Sequence, residues 1–240
     1  MKKTKLLIST VLLGSIVAAG SVTSFAEEVI NTENGTASIE FTENNEKPEI
    51  VDPLDPEKPL DPQVPVDEPD NEDTENLGPL SLDVYPARFD FGTHKVDMMG
   101  GEYDSTLTGI HYLQITDNRS DIHGWNVSVS RTEFEDTSAA AERKLAATLT
   151  LPIGTARNSM LGADATDTLT HSDTEFEIPV AAEDGSGAVS IFSAEENNGK
   201  ATSTYVWDAS QEKLTIGKGA AKTGNFTSTV NWTLSAMPEQ

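Results

Sequence analysis

Short runs of alternating apolar and polar residues dominate the chain after residue 80, and this pattern most strongly limits the folds available to it. Val, Thr and aromatic residues are frequent in these runs, and Gly, Asn, Asp or Pro separates them at short intervals, as in all-β proteins. The runs cover residues 80–84, 88–92, 110–115, 125–130, 145–151, 176–178, 189–192, 205–207, 214–216 and 226–234. We therefore predict an all-β fold, a single antiparallel β-sandwich or barrel-like domain over residues 80–240.

Two local predictions accompany this fold. Residues 208–211, Asp-Ala-Ser-Gln, lie between two apolar runs and are typical of a hairpin turn. Residues 138–144 contain an alanine run that Ser138 could cap. This segment is interpreted either as one short helix or as a long loop.

Residues 27–79 have a different composition. They contain 17 acidic residues, two lysines and 8 of the 12 prolines, whereas 13 of the 15 aromatic residues lie after residue 80. From Pro53 to Pro65 a proline recurs every third residue, which matches one turn of a polyproline II helix. Because such a composition cannot offset the entropy of ordering, we predict a disordered acidic proline-rich linker that acts as a spacer. The alternative is a proline motif that binds a partner domain.

The first 26 residues have the pattern of a secretory signal peptide. Lys2, Lys3 and Lys5 precede an apolar run over residues 6–17, and Ser24-Phe25-Ala26 places small residues at the cleavage positions. An uncleaved membrane helix would need roughly 20 apolar residues, and this run has about 12. We therefore expect a secreted protein with no membrane span after signal cleavage.

Net charge and cysteine content exclude several classes of function. The chain has 16 basic and 40 acidic residues, a formal charge of −24, so it repels nucleic acids and anionic membranes. It contains no cysteine, which excludes disulfides, thiolate metal sites and a cysteine nucleophile. Nucleic acid is therefore not an expected partner.

No motif predicts catalysis, a metal site or a cofactor. The four histidines, His94, His111, His123 and His171, are scattered without metal-ligand spacing. Residues 217–223 superficially resemble a phosphate loop, but that motif needs glycine before its lysine, and Ala221 precedes Lys222. Residues 117–121 alternate oxygen ligands as calcium loops do, but Arg119 occupies a ligand position, which favours a simple turn.

Three segments of the β region carry a recognisable combination of motifs. Residues 80–92 contain a strand, a proline and a Phe-Gly turn. Residues 114–127 place Asp-Asn-Arg before Trp-Asn-Val, and residues 214–238 lead to Trp-Thr-Leu. Together these segments resemble the WxL domain, a cell-wall-binding module of low-GC Gram-positive bacteria. The resemblance covers about 160 residues, and Val127 stands where the family has leucine.

The resemblance implies non-covalent attachment to the cell wall through peptidoglycan, at the cell surface and within complexes with other cell-surface proteins. The residues that the resemblance implies for wall binding, or as members of the family motifs, are Asp117, Asn118, Arg119, Trp125, Asn126, Val127, Trp232, Thr233 and Leu234.

The two motif tryptophans can be interpreted in two ways. An exposed indole could stack on a sugar ring. However, strand alternation places Trp125 with Val127 and Trp232 with Leu234 on apolar strand faces. This pattern favours core positions with hydrogen-bonded indole N–H groups. The ligand would then contact the polar strand faces or the loop around Asp117, and Arg119 could equally be a structural bridge to a carboxylate.

Three classes of function follow from the sequence. The first is a cell-wall-binding surface protein without enzymatic activity, which binds peptidoglycan rather than polyanionic teichoic acid because residues 80–240 carry a net charge of −12. The second is an adhesin or assembly subunit that binds a host or neighbouring surface protein. The third is a wall hydrolase, which needs a cleft with two carboxylates roughly 5–10 Å apart or an acid of raised pKa.

Overall fold

The computed structural model describes residues 33–121, 123–136, 143–160, 169–182 and 186–237. The proposed signal peptide and most of the helical candidate, residues 137–142, lie outside these ranges. In chain order the strands are β1 (Val51–Asp52), β2 (Asp55–Pro59), β3 (Asn71–Asp73), β4 (Leu80–Pro86), β5 (Gly101–Asp104), β6 (Ile110–Asp117), β7 (Trp125–Arg131), β8 (Phe134–Asp136), β9 (Arg143–Leu145), β10 (Ala147–Leu151), β11 (Thr155–Asn158), β12 (Leu169–His171), β13 (Phe176–Glu177), β14 (Val189–Ala194), β15 (Ala201–Asp208), β16 (Lys213–Ile216) and β17 (Val230–Ala236).

The strands form three larger sheets. The first sheet has the order β11-β15-β6-β4-β3, the second β12-β14-β7-β17, and the third β13-β10-β16-β5. Two strand pairs, β1-β2 and β8-β9, stand beside them. Every strand pair within these sheets is antiparallel, which confirms the prediction of an all-β antiparallel fold.

The three sheets share one hydrophobic core. Leu113 of β6, Val127 of β7 and Leu149 of β10 are buried in it, together with Tyr205 and Trp207 of β15. Alternation along each strand supplies these side chains, because every second residue of a strand points to the same face. In β7 the odd-numbered residues from Trp125 to Val129 are all fully buried.

The outer face of the first sheet is also buried, and the segment before residue 80 covers it. Ile50 is 1% exposed and forms a second apolar cluster with Val84, Tyr112 and Val206. The side chain of Gln114 accepts a hydrogen bond from the Val51 N–H at 3.0 Å, and it donates one to the carbonyl of Glu49 at 2.8 Å.

Residues 47–79 are ordered in this way, whereas the sequence predicts a disordered linker over residues 27–79. The strand β3 joins the first sheet beside β4, and Asn71 is fully buried, donating to the carbonyls of Val66 and Ile110. Apolar contacts of Ile50, Leu60 and Val66 and a few buried hydrogen bonds order the segment, although its overall composition is acidic. Residues 33–46 have no regular secondary structure and are exposed.

Three further local predictions differ from the structure. Residues 208–211 do not close a hairpin: Asp208 caps a short 3-10 helix, Ala209–Gln211, and the chain passes from β15 in the first sheet to β16 in the third. Residues 88–92 form a loop rather than a strand, in which the Asp90 carboxylate accepts the N–H of Gly92 at 2.8 Å. Arg143 and Lys144, the end of the helical candidate, lie in β9.

Candidate functional site

The two tryptophan motifs lie side by side in the second sheet. β7 and β17 pair antiparallel, so that Leu234 faces Val127, Trp232 faces Val129 and Ala236 faces Trp125. A single register therefore brings together two motifs that are about a hundred residues apart in the sequence.

Trp125 is a core residue. Its side chain is fully buried, contacts the Phe192 ring edge-on at a centroid distance of 4.9 Å, and donates from Nε1 to the carbonyl of Gly199 at 3.3 Å. No face of this indole is available to a sugar.

Trp232 also faces the core, but it is only partly buried. Its Nε1 donates to the carbonyl of Pro86 at 3.2 Å, and its ring lies 6.3 Å from that of Trp207. Leu234 is likewise partly buried, whereas Thr233 between them is exposed, as is Asn231. The alternation predicted for this strand is present, and the indole N–H groups of both motifs are hydrogen-bonded to backbone carbonyls.

Asp117, Asn118 and Arg119 form a brace at the end of β6. Arg119 donates from Nε and Nη2 to the two carboxylate oxygens of Asp117, at 2.9 and 2.7 Å, and from Nη2 to the carbonyl of Gly124 at 2.8 Å. Asp117 is 1% exposed, and it raises the pKa of the Arg119 guanidinium through these bonds. Asn118 is exposed and donates its backbone N–H to the carbonyl of Pro79.

This brace fixes the chain directly before Trp125. The Arg119 guanidinium joins Asp117, the last residue of β6, to Gly124, the residue that precedes β7. Its hydrogen bonds therefore connect the two ends of the loop between these strands. Of the two roles considered for Arg119, the structure shows the bridge to a carboxylate. The Asp-Asn-Arg and Trp-Asn-Val motifs are thus parts of one structural unit.

A cleft lies between two loops at one end of the third sheet. We call it the loop cleft; residues 85–96 form one wall and residues 221–230 the other. Between the walls it is lined by Tyr103 of β5, Leu145 of β9 and Leu214 of β16. It has two adjoining compartments, of about 500 and about 580 Å³, which share Phe91 and Phe226.

Hydrogen bonds and ion pairs fix both walls of the loop cleft. Arg143 donates to the Asp136 carboxylate and to the carbonyl of Thr223, each at 2.6 Å, and lies 5.8 Å from the Phe226 ring centroid. Gly224 leaves room for this contact, because a Cβ there would lie 2.6 Å from the Arg143 guanidinium.

The opposite wall is tied down in the same way. Arg88 pairs with Asp70 at 2.7 Å, and the Thr106 N–H donates to the carbonyl of Asp90 at 2.8 Å. The His94 ring stacks on Tyr103 at a centroid distance of 4.3 Å, tilted by 43°. The cleft is therefore largely pre-formed.

The sequence did not predict the loop cleft, although two of the resembling segments contribute to it. The Phe-Gly turn at Phe91 and the glycine-rich stretch after Ile216 come from opposite ends of the β region. In the sequence, each of these segments continues past the end of a strand, one into the Phe-Gly turn and the other into the glycine-rich stretch. Only the tertiary fold shows that these loops face each other.

Two buried acids lie elsewhere in the domain. Burial raises the pKa of Asp83 to about 6, although Ser81, Gln114 and Thr116 all donate to its carboxylate. Burial likewise raises the pKa of Glu212, whose Oε1 lies 2.7 Å from His111 Nδ1 and accepts from Trp207 Nε1 at 2.7 Å. Asp83 is enclosed beneath the segment that covers the first sheet and Glu212 lies beside Trp207, so neither acid lines the loop cleft.

Within the described ranges, no group of three or more histidine and acidic side chains is arranged to hold a metal ion. The part of the chain that the structure describes also contains no helix with the length and apolar character needed to cross a bilayer.

Comparison with known families identifies the domain. The model of the WxL domain, described as surface cell wall-binding, matches residues 28–238, nearly the whole chain. No curated protein and no solved structure matches the chain. The match begins well before residue 80, which agrees with the packing of residues 47–79 onto the first sheet. The chain therefore belongs to the WxL domain family of surface cell wall-binding proteins.

Proposed function

We propose that the protein is exported, loses residues 1–26, and is held at the cell surface by non-covalent contact between its β domain and peptidoglycan. The observation that carries this proposal is the family match over residues 28–238. The signal-peptide pattern at the N-terminus supports export. Membership of a surface complex with other proteins is part of the proposal.

Charge favours peptidoglycan over teichoic acid as the ligand. The chain carries a net charge of −24, so a polyanionic polymer is repelled over most of its surface. Protonation of carboxylates reduces this repulsion, and we expect wall binding to strengthen between pH 7.5 and pH 5.

Sedimentation of the purified mature protein with cell walls tests this proposal. Native walls and walls stripped of teichoic acid by acid should retain the protein equally, and more strongly at pH 5 than at pH 7.5. Loss of binding on stripping would show that teichoic acid is the ligand. A protein that remains in the supernatant under all four conditions would refute attachment to the wall.

We propose that the domain binds without enzymatic activity. WxL is a wall-binding family rather than a catalytic one. A wall hydrolase needs two carboxylates or an acid of raised pKa in an accessible cleft. Of the described residues that line the loop cleft only Asp90 is acidic, and the acids of raised pKa, Asp83 and Glu212, are buried elsewhere. A clearing zone in a cell-wall zymogram would refute this part of the proposal.

One observation favours a second function, that of an assembly subunit. Among the described strands β17 is an edge of the second sheet, with β7 as its single neighbour. A groove of about 380 Å³ lies between its Trp-Thr-Leu segment and Leu77, Leu80 and Leu82. An exposed edge beside an apolar groove can accept a strand from another protein. Co-purification of a surface protein that is lost on Thr233→Pro substitution would support this function.

A further inference from the structure

We propose that the loop cleft binds the free carboxylate end of a short peptide, with Lys95 and Lys222 facing the carboxylate and the aromatic lining contacting its apolar side chains. In the wall the corresponding ligand is the peptide stem of peptidoglycan, so this inference rests on the proposed function. It places recognition at the loop cleft instead of the tryptophan motifs.

The size and lining of the cleft suit such a ligand. Small-molecule sites are typically concave, about 300–1,000 Å³, and mainly apolar with a few polar groups that orient the ligand. The compartment next to the two lysines measures about 500 Å³ and is lined by Phe91, Tyr103 and Phe226. This volume accommodates a few small residues, and its aromatic side chains offer contacts to methyl-bearing side chains beside the polar part of the lining.

The distribution of unpaired positive charge points to a carboxylate. Of the lysines that the structure describes, Lys47, Lys58, Lys144 and Lys213 form ion pairs. The other four have no carboxylate oxygen within 4.0 Å in the described part of the chain: Lys95, Lys200, Lys218 and Lys222. Two of these four line the loop cleft.

The immediate surroundings of these lysines strengthen the argument. None of the described residues that line the 500 Å³ compartment is acidic, in a chain with 40 acidic and 16 basic residues. The surface of a negatively charged protein repels a carboxylate-rich polymer such as peptidoglycan. Binding therefore needs a local region without acidic residues, and this compartment is one.

Lys222 is already oriented toward this role. Its ammonium group donates one hydrogen bond to the carbonyl of Lys144 at 2.5 Å. An ammonium has three N–H donors, so two remain for a ligand while the side chain is held in place. The Arg143 contacts with Asp136 and Thr223 fix the backbone that carries Lys222.

Binding of soluble peptides to the full mature chain tests the inference. Isothermal titration would compare three ligands: a stem pentapeptide ending in D-Ala-D-Ala with a free carboxylate, the same peptide with a C-terminal amide, and poly(glycerol phosphate). We expect the free acid to bind about tenfold more tightly than the amide, which corresponds to about 1.4 kcal/mol, and poly(glycerol phosphate) to bind most weakly.

Matched variants locate the site. The double substitution Lys95→Gln/Lys222→Gln keeps a hydrogen-bond donor at each position and should weaken binding of the free acid roughly tenfold, with binding of the amide unchanged. Lys200→Gln is the control, because Lys200 is exposed and unpaired in the described structure but lies outside the cleft. The melting temperatures of both variants should equal that of the unmodified protein.

The outcomes separate this inference from attachment itself. If stripped walls retain the protein but the free acid and the amide bind equally, or Lys200→Gln weakens binding as much as the double variant, the cleft assignment is wrong and attachment stands. Preferential binding of poly(glycerol phosphate) would also overturn it, with phosphate as the ligand. If stripped walls do not retain the unmodified protein, the attachment proposal fails, whatever the peptides show.

Discussion

Replacing Trp125 with alanine tests whether the first motif is structural. The side chain is fully buried against Phe192, and its Nε1 bonds the buried carbonyl of Gly199. Truncating a buried tryptophan to alanine costs about 3–5 kcal/mol in the free energy of unfolding. In a domain of this size each kcal/mol lowers the melting temperature by about 2–4 °C, so we expect a decrease of roughly 6–20 °C.

The assay combines stability and binding on the same samples. Urea unfolding followed by circular dichroism gives the free energy of unfolding, and sedimentation with stripped walls gives retention at a temperature where the variant is still folded. Trp125→Phe is the matched variant, since it keeps an aromatic ring beside Phe192 but removes the N–H donor and part of the buried ring volume. It should lose about 1–3 kcal/mol, because the Gly199 carbonyl is left without its partner. Trp232→Ala should lose less than Trp125→Ala, since its ring is only partly buried.

The structural interpretation requires that folded Trp125 variants still bind the wall. A Trp125→Ala protein that kept its melting temperature but lost wall retention would refute the reasoning. The indole would then contact the ligand directly, and the buried position described above would be incorrect.

Three further predictions address parts of the structure that the motifs do not cover. Ile50→Ala should lower the free energy of unfolding by about 2–5 kcal/mol in urea denaturation, since Ile50 is 1% exposed; an unchanged midpoint would mean that residues 47–79 are a spacer after all. Arg119→Ala should lower the free energy of unfolding by about 3–5 kcal/mol, because it leaves the Asp117 carboxylate buried without its partner; thermal unfolding at low and high salt would measure the loss. Asp83 has a folded pKa of about 6, above the usual value of 3.8, so its contribution to stability is complete below about pH 4 and is lost as the pH rises through 6. Urea midpoints from pH 4 to pH 7.5 should show this decrease, which Asp83→Asn should reduce.

Strand alternation predicted the β domain correctly because the pattern is local. The face assigned to Trp125 and Val127 needs only the knowledge that a strand has period two, and the same is true of β17. Those strands also carry the family motifs. The inward orientation of the two tryptophans could therefore be predicted without knowing which residues they contact.

The cover on the first sheet could not be predicted in this way. Gln114 and Thr116 alternate with apolar residues in β6 and therefore indicate a solvent-exposed face, but both are buried beneath the acidic segment. Ile50, Leu60 and Val66 provide the apolar contact, and three such residues are too few to stand out among 17 acids. Their burial depends on tertiary contacts with Tyr112 and Val206, which no local pattern reports.

The loop cleft was missed for a related reason. Its walls come from residues near Phe91 and Phe226, which are more than a hundred positions apart. Loop conformation depends on contacts such as that between Arg143 and Thr223, and these contacts exist only after the sheets have packed. The passage from β15 to β16 shows the same effect, because a turn sequence does not reveal which sheet receives the next strand.

The pairing of β7 with β17 also affects when the protein can fold. β7 must remain without this neighbour until about a hundred further residues of the chain are available to fold. Pairings of such long sequence separation form slowly, since a large loop must close before any contact is gained. Until β17 is present, the edge of β7 that it covers is therefore open to chaperones, proteases and other copies of the chain.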